Sequence, residues 1–121
     1  MAPLRPRDVV LLWDRGTRPP KDKRHICVDP GRQLFLRINS KPIWTPSHLI
    51  KAAPGVRFIA HDSYVELRQL VRHMAYEISR AAPLGRLDDE QTEALCAAVR
   101  IAETLSEDHK DLIVARLTAG A

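Results

Sequence analysis

The spacing of hydrophobic residues changes about halfway along the chain. Val9–Trp13 is a fully apolar run that reads as a short strand. His25–Val28 and Gln33–Ile38 are two further β-type runs, and Asp29-Pro30-Gly31-Arg32 between them carries turn chemistry. Leu34, Leu36 and Ile38 recur at every second position and so share one strand face. Val56–Ala60 and Tyr64–Leu67 read as two more strands, with His61-Asp62-Ser63 turning between them. Arg15–Lys23, with Gly16, Pro19 and Pro20, reads as a mobile loop, and Thr45–Pro54 as irregular. Five short strands with Pro/Gly punctuation predict a small curled sheet or barrel.

Beyond this the period becomes helical. Leu67, Leu70, Val71, Met74, Ala75 and Ile78 fall at i, i+3, i+4, i+7, i+8 and i+11 and predict one amphipathic helix. Pro83-Leu84-Gly85 ends it. Asp88 or Asp89 can cap a second helix, with Gln91 or Glu93 placed to reach back toward the cap. Its buried face would hold Leu95, Cys96, Val99, Ala102 and Leu105. Ser106 would cap a short final helix using Leu112, Ile113 and Leu117. The expected architecture is α+β, with a β part over residues 7–67 and a helical part over 68–121 packed on it as one domain.

Composition adds bounds. The 121 residues are 45% hydrophobic and 28% charged, ordinary values for a globular domain. The longest apolar run is far too short to span a bilayer, and the N-terminal residues lack the apolar core of a secretory signal. Cys27 and Cys96 fit neither a metal spacing nor a disulfide framework, which points to a reducing cytoplasm. Charge is divided: residues 1–60 carry twelve Lys/Arg against four Asp/Glu, and residues 61–121 carry seven against eleven. A basic half of this size suits phosphate. Aromatic residues are only 5%, which argues against a base-stacking platform.

Candidate chemistry gathers at the two ends of the His25–Ile38 hairpin. Lys21, Lys23 and Arg24 precede its first run, and Asn39, Ser40 and Lys41 follow its second. No phosphate loop, nucleophile elbow, zinc-protease motif or Cys-x-x-Cys pair occurs, so neither a cofactor nor a metal is expected. Asp88-Asp89-Glu90 sits where negative charge favours a helix start, not where an acid/base pair is needed.

The order of several short motifs resembles the MazF/PemK-like toxins, SH3-like barrels that form the ribonuclease half of type II toxin–antitoxin pairs. Arg7-Asp8-Val9-Val10-Leu11-Leu12 resembles the family's opening strand, and Lys23-Arg24-His25-Ile26-Cys27-Val28 its arginine-entered strand. Ile38-Asn39-Ser40-Lys41 follows as a strand closing on a small polar residue. Asp62-Ser63-Tyr64-Val65-Glu66-Leu67 and Leu84-Gly85-Arg86-Leu87-Asp88-Asp89-Glu90 complete the series, so the similarity spans roughly residues 7–105. The family's Arg-Pro is Arg24-His25 here, its Pro-Ile-Thr is Ile38-Asn39-Ser40, and its initial glycine is Arg7. The resemblance places the catalytic arginine on Arg24 and the catalytic hydroxyl on Ser40. It implies a homodimer, with an antitoxin partner that covers the active groove.

Cleavage of RNA without a metal needs a base for the 2′-OH, a cation for the phosphorane and an acid for the leaving oxygen. Arginine suits the second task through its planar fork. His25 is the candidate base beside Arg24, although strand alternation sends the two side chains to opposite faces. His48 and His61 are further candidates. Lys21, Lys23, Asn39 and Lys41 are placed to hold RNA phosphate, and Trp13, Trp44 and Leu117 to contribute to a dimer contact. The expected function is an endoribonuclease toxin. The alternatives are a catalytically silent RNA-binding barrel and a protein-interaction barrel.

Overall fold

The computed structural model describes residues 3–120. The chain runs through β1 (Asp8–Asp14), β2 (Lys21–Asp29), β3 (Leu34–Asn39), β4 (Ser47–Ile50), β5 (Ser63–Glu66), β6 (Val71–Arg72), α1 (Ala75–Ser79), β7 (Ala82–Arg86), α2 (Asp89–Ile101) and α3 (Glu107–Ala119). The class is mixed α+β. The strands pair antiparallel in the order β4-β5-β3-β2-β1-β7, and β6 pairs with β3. The expected barrel is corrected here: β4 and β7 stand at the two ends of the sheet, which is not closed.

Period-two alternation sorts the hairpin strands onto two faces. Val9, Ile26, Val28, Leu36 and Ile38 meet Leu95, Val99, Ile113 and Leu117 of α2 and α3 in the main core. Val10, Leu12, Cys27 and Phe35 point the other way and pack with Ala81 and Ile78 in a smaller cluster. Leu117, an expected dimer contact, is fully buried in the main core, whereas Trp13 and Trp44 are about half exposed.

Both terminal helices begin as their caps require. Asp88 accepts from the Gln91 backbone N–H at 2.7 Å, and the Gln91 side chain accepts from the Asp88 N–H at 2.9 Å. Ser106 accepts from the His109 N–H at 3.2 Å. These bonds satisfy donors that a helix start leaves free. The end of α3 is held by Arg7, whose Nε donates to the Leu117 carbonyl at 2.6 Å and whose Nη1 reaches Asp89 at 2.6 Å.

Four expectations fail in residues 45–86. The stripe Leu67–Ile78 is not one helix. Leu67 is buried directly after β5, Val71 pairs with Phe35 in β6, and only Ala75–Ser79 is helical. Apolar spacing suited a helix, but the ladder offered by β3 took the middle of the segment. Pro83-Leu84-Gly85 does not terminate a helix; it lies in β7, at the sheet end where a missing N–H is tolerated. Val56–Ala60 is not a strand, although Phe58 and Ile59 are buried, and β4 arises within the stretch expected to be irregular. Lys21–Lys23 begins β2 instead of ending a loop.

Candidate functional site

The β1–β2 loop, the start of β2, the end of β3 and the segment after β5 surround a cleft of about 510 Å³. Alternation places Lys23 of β2 and Arg37 and Asn39 of β3 on the sheet face away from α2 and α3, with the smaller core cluster. Arg18, Lys21, Lys23, Arg37, Lys41 and Arg68 line the cleft, and Glu66 is the single carboxylate among its lining residues. Thr17, Asn39, Ser40 and Gln69 supply neutral hydrogen-bonding groups. Ile43 and Trp44 form an exposed apolar lip, with the Arg68 guanidinium carbon 4.8 Å from the Trp44 ring centroid.

Arg37 is set into the cleft wall by its contacts with two carboxylates. Its Nε and Nη2 donate to Asp14 at 2.5 and 3.0 Å, and its Nη1 lies 3.8 Å from Glu66 Oε2. Burial alone would raise the Asp14 carboxyl. Its hydrogen bonds to His25, Arg37 and the Gly16 N–H outweigh that and hold it well below the usual carboxylate range. Gly16 is required by this packing: a Cβ there would stand 2.2 Å from Arg37 Nη2 and 3.2 Å from Asp14 Oδ1. Asn39 Nδ2 donates to Glu66 Oε1 at 3.1 Å, orienting the carboxylate at the cleft wall. Burial, with Lys21 nearby, pushes the Lys23 ammonium below its ordinary value.

Five of the nine residues singled out by sequence come together here: Lys21, Lys23, Asn39, Ser40 and Lys41. Arg24 does not. It points to the opposite sheet face, where its Nε donates to the Phe58 carbonyl at 2.8 Å. His25 faces the cleft side of the sheet but lies beneath the surface, fully buried. His48 is half-buried on β4, and His61 is exposed with Nδ1 2.9 Å from the Asp62 carbonyl; neither lines the cleft. Sequence reasoning missed Arg37, Glu66 and Arg68. The available signal for Arg37 was a charge in mid-strand between Leu36 and Ile38.

Below the cleft lies a run of buried polar groups. His25 Nε2 is 3.1 Å from Asp14 Oδ2 and 3.0 Å from His73 Nε2, and His73 Nδ1 is 3.7 Å from Glu77 Oε1. Burial, reinforced by His25, pushes His73 down to about 4. The Phe35 ring packs edge-on against both imidazoles. Among the described residues no helix is long and apolar enough to cross a membrane. Compared with known proteins, the chain matches no protein-family model and no curated protein.

Proposed function

We propose that the cleft binds single-stranded RNA through its phosphates and is the cleavage site of a diverged MazF/PemK-like endoribonuclease. The observation that carries this reading is the concentration of six Lys/Arg side chains against one carboxylate in a cavity of about 510 Å³. Such a cavity attracts a polyanion, and its Asn39 and Ser40 groups can donate to phosphate oxygens. Arg37 takes the role that the resemblance gives to Arg24, because Arg24 lies on the other face.

The chemistry follows from the lining. Glu66 accepts the ribose 2′-OH proton, the O2′–P bond forms, and the P–O5′ bond breaks with solvent protonating the departing oxygen. Arg37 and Lys23 stabilise the charge on the phosphorane, and Ser40 donates to a non-bridging oxygen. The product ends are a 2′,3′-cyclic phosphate and a 5′-OH. An acidic antitoxin segment would seek the same cations and exclude RNA. Trp13 and Trp44, half exposed, are the candidates for a homodimer contact.

One observation favours the catalytically silent reading. Two nitrogens of Arg37 are already committed to Asp14 and its Nη1 lies 3.8 Å from Glu66 Oε2, so its fork is largely taken up within the protein. The deciding experiment incubates purified protein with mixed RNA and identifies the product ends. Cyclic phosphate ends, lost with a 2′-deoxy residue at the cut site and reduced about a hundredfold in Glu66→Gln, support cleavage. Salt-sensitive RNA binding with no cleavage leaves the silent binder, and no binding leaves the interaction module.

A further inference from the structure

Beneath the cleft, three side chains from three separate elements converge on one point. Asp14 ends β1, His25 lies within β2, and His73 follows β6; all three are buried. His25 Nε2 stands 3.0 Å from His73 Nε2 and 3.1 Å from Asp14 Oδ2, and the three groups' ligating atoms lie within 4.8 Å of one another. The position of one proton makes this arrangement informative. His25 Nδ1 is 2.8 Å from the Lys23 carbonyl, which can only accept, so Nδ1 carries a hydrogen. In the neutral ring Nε2 then presents a lone pair, and it faces a carboxylate oxygen and another ring nitrogen. A hydrogen on His73 Nε2 can satisfy its contact with His25 Nε2, but the Asp14 oxygen and the same lone pair repel in a dry interior unless a positive centre lies between them.

We infer that this centre is a divalent transition metal of the zinc class, bound by Asp14 Oδ2, His25 Nε2 and His73 Nε2. With bonds of about 2.0–2.2 Å, neighbouring ligand atoms are about 2.9 Å apart at right angles and about 3.3 Å apart in a tetrahedron. The two pairs that include His25, at 3.0 and 3.1 Å, fall between these values, and the third pair, Asp14 with His73, lies within 4.8 Å and would draw together on the ion. Two imidazoles with one carboxylate are a ligand set suited to zinc-like ions, whereas magnesium and calcium take oxygen. A fourth position remains for water.

The outer contacts agree. A metal-bound histidine normally donates its second N–H to a carbonyl or carboxylate. His25 Nδ1 meets the Lys23 carbonyl, and His73 Nδ1 faces Glu77 Oε1 at 3.7 Å. Glu77 is itself buried and held by the Met74 N–H at 2.9 Å, and its Oε2 pairs with Arg15 Nε at 3.4 Å. Arg37 also donates to Asp14 Oδ2, which has lone-pair positions for both partners. The ion would tie β1 and β2 to the segment entering α1, whose regular structure is only two residues of β6 and five of α1. That is a structural staple of the kind small domains use.

The test strips wild-type protein with a chelator and then titrates Zn²⁺ or Co²⁺, following stoichiometry, melting temperature and imidazole ¹⁵N shifts. The expected result is one ion per chain, a raised melting temperature, visible Co²⁺ d–d bands, and shifts in both His25 and His73. Glu77→Gln, which keeps all three ligands, should weaken binding about 10- to 100-fold. Folded protein that takes up no stoichiometric ion, with an unmoved melting temperature, would overturn the site in favour of a proton shared by His25 and Asp14. Undiminished affinity in folded His73→Gln would overturn it equally. Should that variant not fold, the wild-type titration and Glu77→Gln decide. None of these measurements uses RNA, so they stand apart from the cleavage question.

Discussion

If the cleft cations hold RNA phosphates, removing two of them must change how binding responds to salt. Lys21 and Lys41 are both exposed at the cleft, so replacing them together by alanine removes charge without opening the core. Taking the six lining cations as an upper bound on phosphate contacts, the slope of log K against log salt is about −4 for single-stranded RNA. Loss of two contacts brings it to about −3, so a fourfold rise in salt weakens wild type roughly 300-fold but the double variant only roughly 50-fold. The matched control is Lys51→Ala with Arg57→Ala, which removes equal charge from exposed positions outside the cleft. Fluorescence anisotropy of labelled, uncleavable 2′-O-methyl RNA across a salt series measures all three slopes. Equal slopes for wild type and the cleft variant, or the same drop in the control, would refute a cleft-based phosphate site.

Other consequences follow from single contacts. Gly16→Ala should keep the fold yet displace Arg37 from Asp14, reducing RNA cleavage at unchanged circular dichroism. Arg24→Ala should leave cleavage intact and cost about 1 kcal/mol in urea unfolding, because it frees only the Phe58 carbonyl. Asp88→Ala should remove the α2 cap and lower stability by about 1 kcal/mol in the same measurement. Burial would raise the Asp29 carboxyl, but the Arg32 N–H and the Arg116 guanidinium outweigh it and hold it low. The stability Asp29 contributes is therefore complete above its unfolded value near 4 and is lost as pH falls through the lower folded value. Acid titration of Asp29→Asn should lack that component, and an unchanged acid limb would count against the pairing.

Residues whose local pattern had one solution were legible. Alternation in Leu34–Ile38 matched β3, and Asp88 with Gln91 matched the observed capping box. Leu67–Ile78 had two solutions, since Val71 could serve a helix stripe or pair with Phe35. The choice depended on a neighbour more than thirty residues away in sequence, which no local period reports. The site divided in the same way. Lys21, Lys23, Asn39, Ser40 and Lys41 were legible because one hairpin carries them to the same end. Glu66 and Arg68 arrive through β5 pairing with β3, and the Asp14–His25–His73 group needs three elements that share no spacing motif.

RNA is proposed to occupy the cleft at the mouth of the β2–β3 hairpin. Backbone amide shifts of ¹⁵N-labelled protein, followed during titration with 2′-O-methyl single-stranded RNA, test it residue by residue. The prediction is saturable change at Gly16–Arg18, Lys21–Lys23, Asn39–Trp44 and Glu66–Gln69, with Lys51, Arg57 and α3 unmoved. Shifts centred on another surface, or none at concentrations where anisotropy reports binding, would contradict it.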